Sequence, residues 1–447
     1  MKFSKGFWVC ACVDILERFS YMIGYSLILI FATTSISNGG LGISEAKGAM
    51  IHSFLTGFVY VTPLLGGILV DRFIGARYTT PIGMLVVGIG YWCGSCARTE
   101  TLIYLMIFLV SIGLGLFKNG TIVGKLITDR SKIDSAFSLR YTLVNIGALL
   151  GSLLAGVFYK DTFAHNGILG FSSCFKLAAI IMFLGTIIFV WGYRFMDGIG
   201  KRPFKEDAFS NESFNKSPLH NQKHPLSHIE KNRILAILLA SGFSIIFWIC
   251  WYLSYLPVYY YWSHKLNWTI HGYDIPITWF DSFDSLLGII LGPLVAILWN
   301  KLAHRPKGDL SLFQKTSIGL LILGVGYIYL YVINIMCKAE NTFSVICLIP
   351  LAFVLALGEM VFSPLGHAFI IKYAPNQYLS TTMSLWGISN FIASMLYGPI
   401  YTLLFQNSSN FGRSCIELCI ITITSAVILL KTNRYLLKLV ESSSSSL

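Results

Sequence analysis

Charge is scarce in this chain. Only 12% of its 447 residues are Asp, Glu, Lys or Arg, against 55% hydrophobic, where soluble domains carry about 25% charged residues. That scarcity excludes an ordinary soluble protein. The apolar stretches show no period-two alternation, which excludes a transmembrane barrel. No zinc spacing of Cys and His is present. There is also no nucleophile–base set and no phosphate loop, so an enzyme has no support and no cofactor is implied. Acidic residues are few, 21 against 33 Lys and Arg, for a net charge of +12. Such an excess suggests nucleic acid until its distribution is read. With Lys2 and Lys5 in the cytoplasm and sides alternating, about 24 Lys and Arg fall inside, about 7 outside and about 2 in the membrane. This bias orients both termini to the cytoplasm, and no nucleic-acid partner is implied. The first apolar segment is too long for a cleavable leader and lacks a small-residue cleavage site, so it reads as a span. The ten cysteines lie in or beside apolar segments as small fillers. Cys93 and Cys96 are the one candidate redox pair.

Apolar runs fill the space that charge leaves. They cover residues 7–33, 48–70, 78–97, 101–123, 137–159, 168–193, 234–262, 277–300, 316–337, 343–371, 379–405 and 412–432. Each is long enough to cross a bilayer as a helix. Arg194–Arg233, rich in Lys, His, Asn, Ser and Pro, cannot span. The outline is a six-helix bundle at 1–194, a cytoplasmic linker at 195–233, a second bundle at 234–435 and a flexible tail at 436–447. Two parallel halves around a mid-membrane site are the arrangement this outline implies.

Three charges interrupt the first run: Asp14, Glu17 and Arg18. Each costs roughly 2.5–3.5 kcal/mol at mid-membrane on insertion scales. At about 100° per residue, they share one stripe with Tyr21 and Tyr25, away from lipid. A wet, charged cavity between helices is the physical reading. Further along, Glu359 and Ser363 stand four apart on one helix face, followed by Pro364, which frees a carbonyl one turn earlier.

Several segments carry a resemblance. Asp14-x-x-Glu17-Arg18-Phe19-Ser-Tyr21 is similar to the E-x-x-E-R-F-x-Y motif of the proton-coupled oligopeptide transporters, a branch of the major facilitator superfamily. Val59-Tyr60 through Pro63, Gly66, Gly67, Asp71 and Arg72 resembles the second span of that family, whose Asp–Arg loop latches the cytoplasmic side. Gly113-Leu-Gly115-Leu-Phe117-Lys118-Asn119 resembles its G-x-G-L-F-K-P-N segment, and Tyr141-Thr-Leu-Val-Asn145-Ile-Gly147 its Y-x-x-x-N-I-G. In the second half, Trp279-Phe280-Asp-Ser-Phe-Asp284 is similar to W-F-Q-S-L-N, and Gly358-Glu359-Met-Val-Phe-Ser363-Pro364-Leu-Gly366 to G-E-L-x-x-S-P-x-G. The resemblance implies an all-α, twelve-helix major facilitator fold in the inner cell membrane. It also implies symport of di- and tripeptides with protons by alternating access, with the proton gradient as driving force.

A zwitterionic peptide needs cations at one end, acids at the other and hydroxyls or amides between. By resemblance, Asp14, Glu17, Arg18, Lys118 and Glu359 couple protons, with Lys118 pairing to the first-helix cluster. Substrate would be bound by Tyr21, Tyr25, Tyr60, Lys118, Asn145, Tyr252, Asp284, Glu359, Ser363 and Trp386. The implied partners are a small peptide or related amphoteric solute, protons and lipid, and the working unit is a monomer.

Four departures from the family pattern bear on this reading. The first motif acid is Asp14, one methylene shorter than Glu. The family's next Arg on the first helix is Tyr25, and its seventh-span Glu is Tyr252. That Arg and Glu form the family's outer gate, and losing one alone strands a buried charge at roughly 3–5 kcal/mol. Here both are tyrosine and can close the gate only by stacking or hydroxyl contact. Fourth, Asp284 replaces an Asn. It either takes over work of the missing Glu or is a water-exposed acid beside Asp281. His52 reads as a pore-facing residue near the outer end, and Asn267-Trp-Thr269 is a sequon only in a eukaryotic host. Two other readings stay open: a carrier or exchanger of an amino acid or nucleoside, and a transport-silent sensor.

Overall fold

Helix α1 runs Lys5–Thr33, opened by Ser4, whose Oγ accepts from the Phe7 amide at 3.2 Å. The computed structural model describes residues 3–127, 133–201, 226–304, 310–339, 343–375, 379–405 and 410–440. Then come α2 (Glu45–Arg72), α3 (Ala76–Ser95), α4 (Glu100–Leu116), α5 (Asn119–Leu126), α6 (Ile133–Val157) and α7 (Phe171–Trp191). The second half has α8 (His228–Tyr259), the short α9 (Tyr261–Lys265), α10 (Trp279–Ala303), α11 (Leu312–Ala339), α12 (Ile349–Tyr373), α13 (Leu379–Phe405) and α14 (Phe411–Val440). Between α9 and α10 lies a two-stranded hairpin, β1 (Thr269–Ile270) and β2 (Tyr273–Asp274). The fold is all-α, with twelve membrane-length helices among the described residues, one at each apolar run. Eleven stretches are apolar enough to span by composition; α3, diluted by Gly, Thr and Tyr, is the exception.

The chain divides into two compact units: residues 1–216 with 276–285, and residues 217–275 with 286–447. In the first, α1 lies buried among its neighbours. Ser20 donates to the Ala178 carbonyl of α7 at 2.8 Å, and Tyr91 of α3 donates to the Tyr21 carbonyl at 3.4 Å. Glycines let backbones touch. A Cβ on Gly66 of α2 would stand 1.9 Å from the Gly115 carbonyl oxygen of α4. The first turns of α10 belong to this unit. Trp279 Nε1 donates to the Leu153 carbonyl at 3.2 Å, and the Ser282 and Ser152 hydroxyls lie 2.9 Å apart. In the second unit, Tyr327 donates to the Cys250 carbonyl at 2.5 Å, and Phe247 stacks on Phe362 at 3.9 Å between ring centroids. In both units, large apolar side chains such as Ile187, Leu294 and Leu403 point outward, as lipid-facing surfaces do.

Two boundaries move. The linker drawn to 233 ends earlier, because Ser227 and Glu230 form a capping box that starts α8 at His228. The tail drawn from 436 also starts too early: α14 continues to Val440, whose carbonyl accepts from Arg233 Nε at 3.1 Å. Linker residues 202–225, tail residues 441–447 and the side chains of Asp71 and Arg72 lie outside the described set. Cys93 and Cys96 are both free thiols.

Candidate functional site

Helix α6 reaches α1 through glycine. A Cβ on Gly147 would come within 2.7 Å of the Ile15 carbonyl oxygen, and one on Gly151 within 2.5 Å of that of Phe19. Arg140, two turns before Gly147, shares that stripe. Its guanidinium therefore meets Asp14 edge to edge, with Nε to Oδ2 at 2.6 Å and Nη2 to Oδ1 at 3.0 Å. Both bonds are charge-assisted, and the pair is bidentate. Asp14 is only 1% exposed, whereas a quarter of the Arg140 side chain remains accessible.

Around this pair opens a cavity of about 610 Å³, lined by Asp14, Glu17, Arg18, Pro63, Arg140 and Tyr141 among others. Glu17 is buried, and Arg18 Nε lies 3.9 Å from its Oε2. Arg18 Nε makes no hydrogen bond among the described residues, and its guanidinium sits 5.4 Å from the centre of the Tyr21 ring. The three charged members of the stripe line this cavity; Tyr21 and Tyr25 are not in its lining.

Lys118 occupies a break in the fourth span. α4 ends at Leu116 and α5 begins at Asn119, although no proline follows the lysine. Asn119 Nδ2 pins the break by donating to the Cys10 carbonyl of α1 at 2.7 Å. From there Lys118 Nζ donates to the Pro63 carbonyl at 2.8 Å, at the cavity wall. The guanidinium that grips Asp14 is thus Arg140, a residue the sequence reading missed. Its only signal was a charge inside the fifth apolar run, one position before Tyr141.

Asn145 is half-buried, and its Nδ2 donates to the Tyr141 carbonyl at 3.0 Å, while Tyr60 is half-buried on α2. Tyr25 lies over His52, 4.7 Å between ring centroids, and 5.9 Å from Tyr21. His52 is fully buried against that tyrosine ring. Asp281 is 4% exposed and Asp284 half-buried, its Oδ1 shielded from solvent. The start of α10, where both stand, is packed down by Trp279 and Ser282.

The second unit brings its own candidates together. Tyr252 is buried in an aromatic group, stacked on Tyr397 at 4.3 Å and tilted to Trp248 at 6.1 Å. Trp386 stacks with Phe362 at 6.1 Å and covers Gly366, where a Cβ would lie 2.0 Å from the indole. Glu359 and Ser363 are half-buried on α12, which runs unbroken through Pro364.

Comparison with known proteins follows the same line. The family model described as Major Facilitator Superfamily matches residues 8–398. The chain is 26% identical to a di-/tripeptide transporter of Lactococcus lactis subsp. cremoris, over 95% of this chain and 94% of that one. It is 25% identical to the transporter YclF of Bacillus subtilis (strain 168), over 89% and 87% of the two chains. Among solved structures, a peptide transporter POT in complex with sulfate superposes with a TM-score of 0.87 at 23% identity, covering 98% of this chain and 96% of its own. A POT family transporter in complex with 5-aminolevulinic acid gives 0.84 at 22% identity, with 97% of each chain covered. The resemblance to the oligopeptide branch, first carried by short motifs, thus extends over nearly the whole chain.

Proposed function

Because the chain belongs to the major facilitator superfamily, a family of membrane transporters, we propose that it imports di- and tripeptides with protons by alternating access. The observation that carries this reading is the cavity whose lining gathers Asp14, Glu17, Arg18 and Arg140. Buried carboxylates beside partly accessible guanidinium groups around an open space suit a substrate with a fixed ammonium and a fixed carboxylate. The relatives named for di- and tripeptides support the same cargo. Burial favours the neutral form of any carboxyl and a neighbouring cation the charged form. A cation that changes partners therefore links conformation to proton binding.

In this proposal Asp14, Glu17, Arg18, Lys118 and Glu359 couple the proton gradient, which is the driving force. Tyr21, Tyr25, Tyr60, Lys118, Asn145, Tyr252, Asp284, Glu359, Ser363 and Trp386 bind or enclose substrate. The protein is a multi-pass membrane protein, and we place it in the inner membrane as a monomer with both termini cytoplasmic. Residues 1–194 and 234–435 act as the two transport halves. Tyr25 and Tyr252 favour a second reading, in which a rebuilt outer gate admits another small solute such as an amino acid.

The test is uptake of labelled dialanine into proteoliposomes, with and without an inward proton gradient, beside amino acids and nucleosides. Accumulation that collapses at least about tenfold without the gradient is the expected result. No peptide uptake, with entry of another solute, moves the assignment to the second reading. Asp284→Asn is expected to shift dialanine affinity or its pH dependence by roughly tenfold, the worth of one charged contact. If both stay as in the wild type, Asp284 has no transport role.

A further inference from the structure

We propose that Arg140 is a carboxylate-binding residue for the transported substrate, and that Asp14 is the internal anion occupying it between transport cycles. This rests on the transport reading above and adds a residue that the family motifs do not supply. The geometry carries it. Nε and Nη2 of Arg140 present the fork that a carboxylate fits, and Asp14 fills that fork with both oxygens. Both partners line the cavity but differ in access: Asp14 is 1% exposed, while a quarter of the Arg140 side chain is accessible. An incoming carboxylate therefore meets the guanidinium rather than the acid.

Space around the fork is built in as well. A Cβ on Gly120 would lie 3.2 Å from Arg140 Nη1, so the glycine leaves that donor room at the α5 side. The other groups facing Asp14 are Cys10, Glu17 and Arg18 on its own helix, with Tyr141 beside Arg140 on α6. Lys118 reaches the cavity-lining Pro63, and Tyr60 is near Arg18. Arg18 is closest to Glu17, and Lys118 holds the Pro63 carbonyl. Arg140 alone combines a two-pronged carboxylate contact with an opening to the cavity among the described residues. Asp14 then acts as a competitor built into the site: it keeps the guanidinium satisfied when the site is empty and gives way to a better-placed carboxylate.

The experiment compares uptake of dialanine with dialanine amide, which lacks the carboxylate, in proteoliposomes. Wild-type protein is expected to prefer dialanine. Arg140→Gln is expected to raise the KM for dialanine roughly ten- to a hundredfold and to collapse the preference over the amide. Arg140→Lys, which keeps the charge and loses the fork, falls between. Asp14→Asn removes the competitor. Because Asp14 is also placed in proton coupling, this variant and the double variant with Arg140→Gln are measured in gradient-free exchange of dialanine, where Asp14→Asn is expected to lower the dialanine KM. Because Arg140→Gln strands Asp14, the doubly neutral Asp14→Asn/Arg140→Gln protein is measured alongside, and it too is expected to lose the preference. A wild-type preference that survives in both proteins lacking Arg140 overturns the proposal and leaves the peptide reading standing. If the wild type takes amino acids instead, the same comparison uses an amino acid and its amide, and only the peptide cargo is lost. Uptake confined to solutes without a carboxylate overturns both.

Discussion

Gly66→Val is expected to leave almost no folded protein in the membrane fraction. At that position a Cβ would stand 1.9 Å from the Gly115 carbonyl oxygen, a backbone atom with no rotamer to escape through. α2 and α4 must separate to admit the side chain. That also breaks the 2.7 Å hydrogen bond from Thr62 Oγ1 to the Ser111 carbonyl across the same crossing. Overpacking of this kind typically costs about 1–3 kcal/mol where side chains can move, and more where they cannot. The neighbouring glycine supplies the control. Nothing lies within 4 Å of a Cβ on Gly67, so Gly67→Ala is expected to fold as the wild type does and to gain up to about 1 kcal/mol of helix propensity. Yield of monodisperse protein in detergent, measured for both, is the check. Equal yields from the two variants would show that the α2–α4 crossing tolerates separation.

Asp14→Leu is expected to destabilise the protein by about 3 kcal/mol, the low end of the range for breaking a buried ion pair. The low end applies because a quarter of the Arg140 side chain is accessible and can be partly hydrated. The loss comes from stranding the guanidinium, not from the leucine. The double variant Asp14→Leu/Arg140→Met is therefore expected to recover most of it, since well-packed apolar replacements of an ion pair are often neutral or better. Denaturant unfolding of the purified protein in micelles measures both. A single variant as stable as the wild type would mean that the pair contributes nothing to the fold and is kept for transport alone.

These two cases mark how far the sequence could be read. Each span was legible because a bilayer demands about 20 apolar residues and this chain has little else to offer. The start of α8 at His228 was missed by six residues, because the apolar run begins only at 234, although the Ser227–Glu230 capping box carries a signal in two residues three apart. The stripe of Asp14, Glu17, Arg18 and Tyr21 needed only helical periodicity. Lys118 was read as the partner of that cluster; the structure puts its ammonium on the Pro63 carbonyl and gives Asp14 to Arg140.

The sequence by itself determined that the protein lives in a membrane, how often it crosses, its family, and that charges must be shielded along one face of α1. These follow from local composition and periodicity, which the bilayer enforces residue by residue. Which opposite charge answers Asp14 was decided by tertiary structure alone. That choice depends on how closely α6 approaches α1, and the approach depends on Gly147 and Gly151 meeting the Ile15 and Phe19 carbonyls. An ion pair spanning 126 residues of chain has no local signature. Only the crossing of two helices brings its halves within hydrogen-bonding distance.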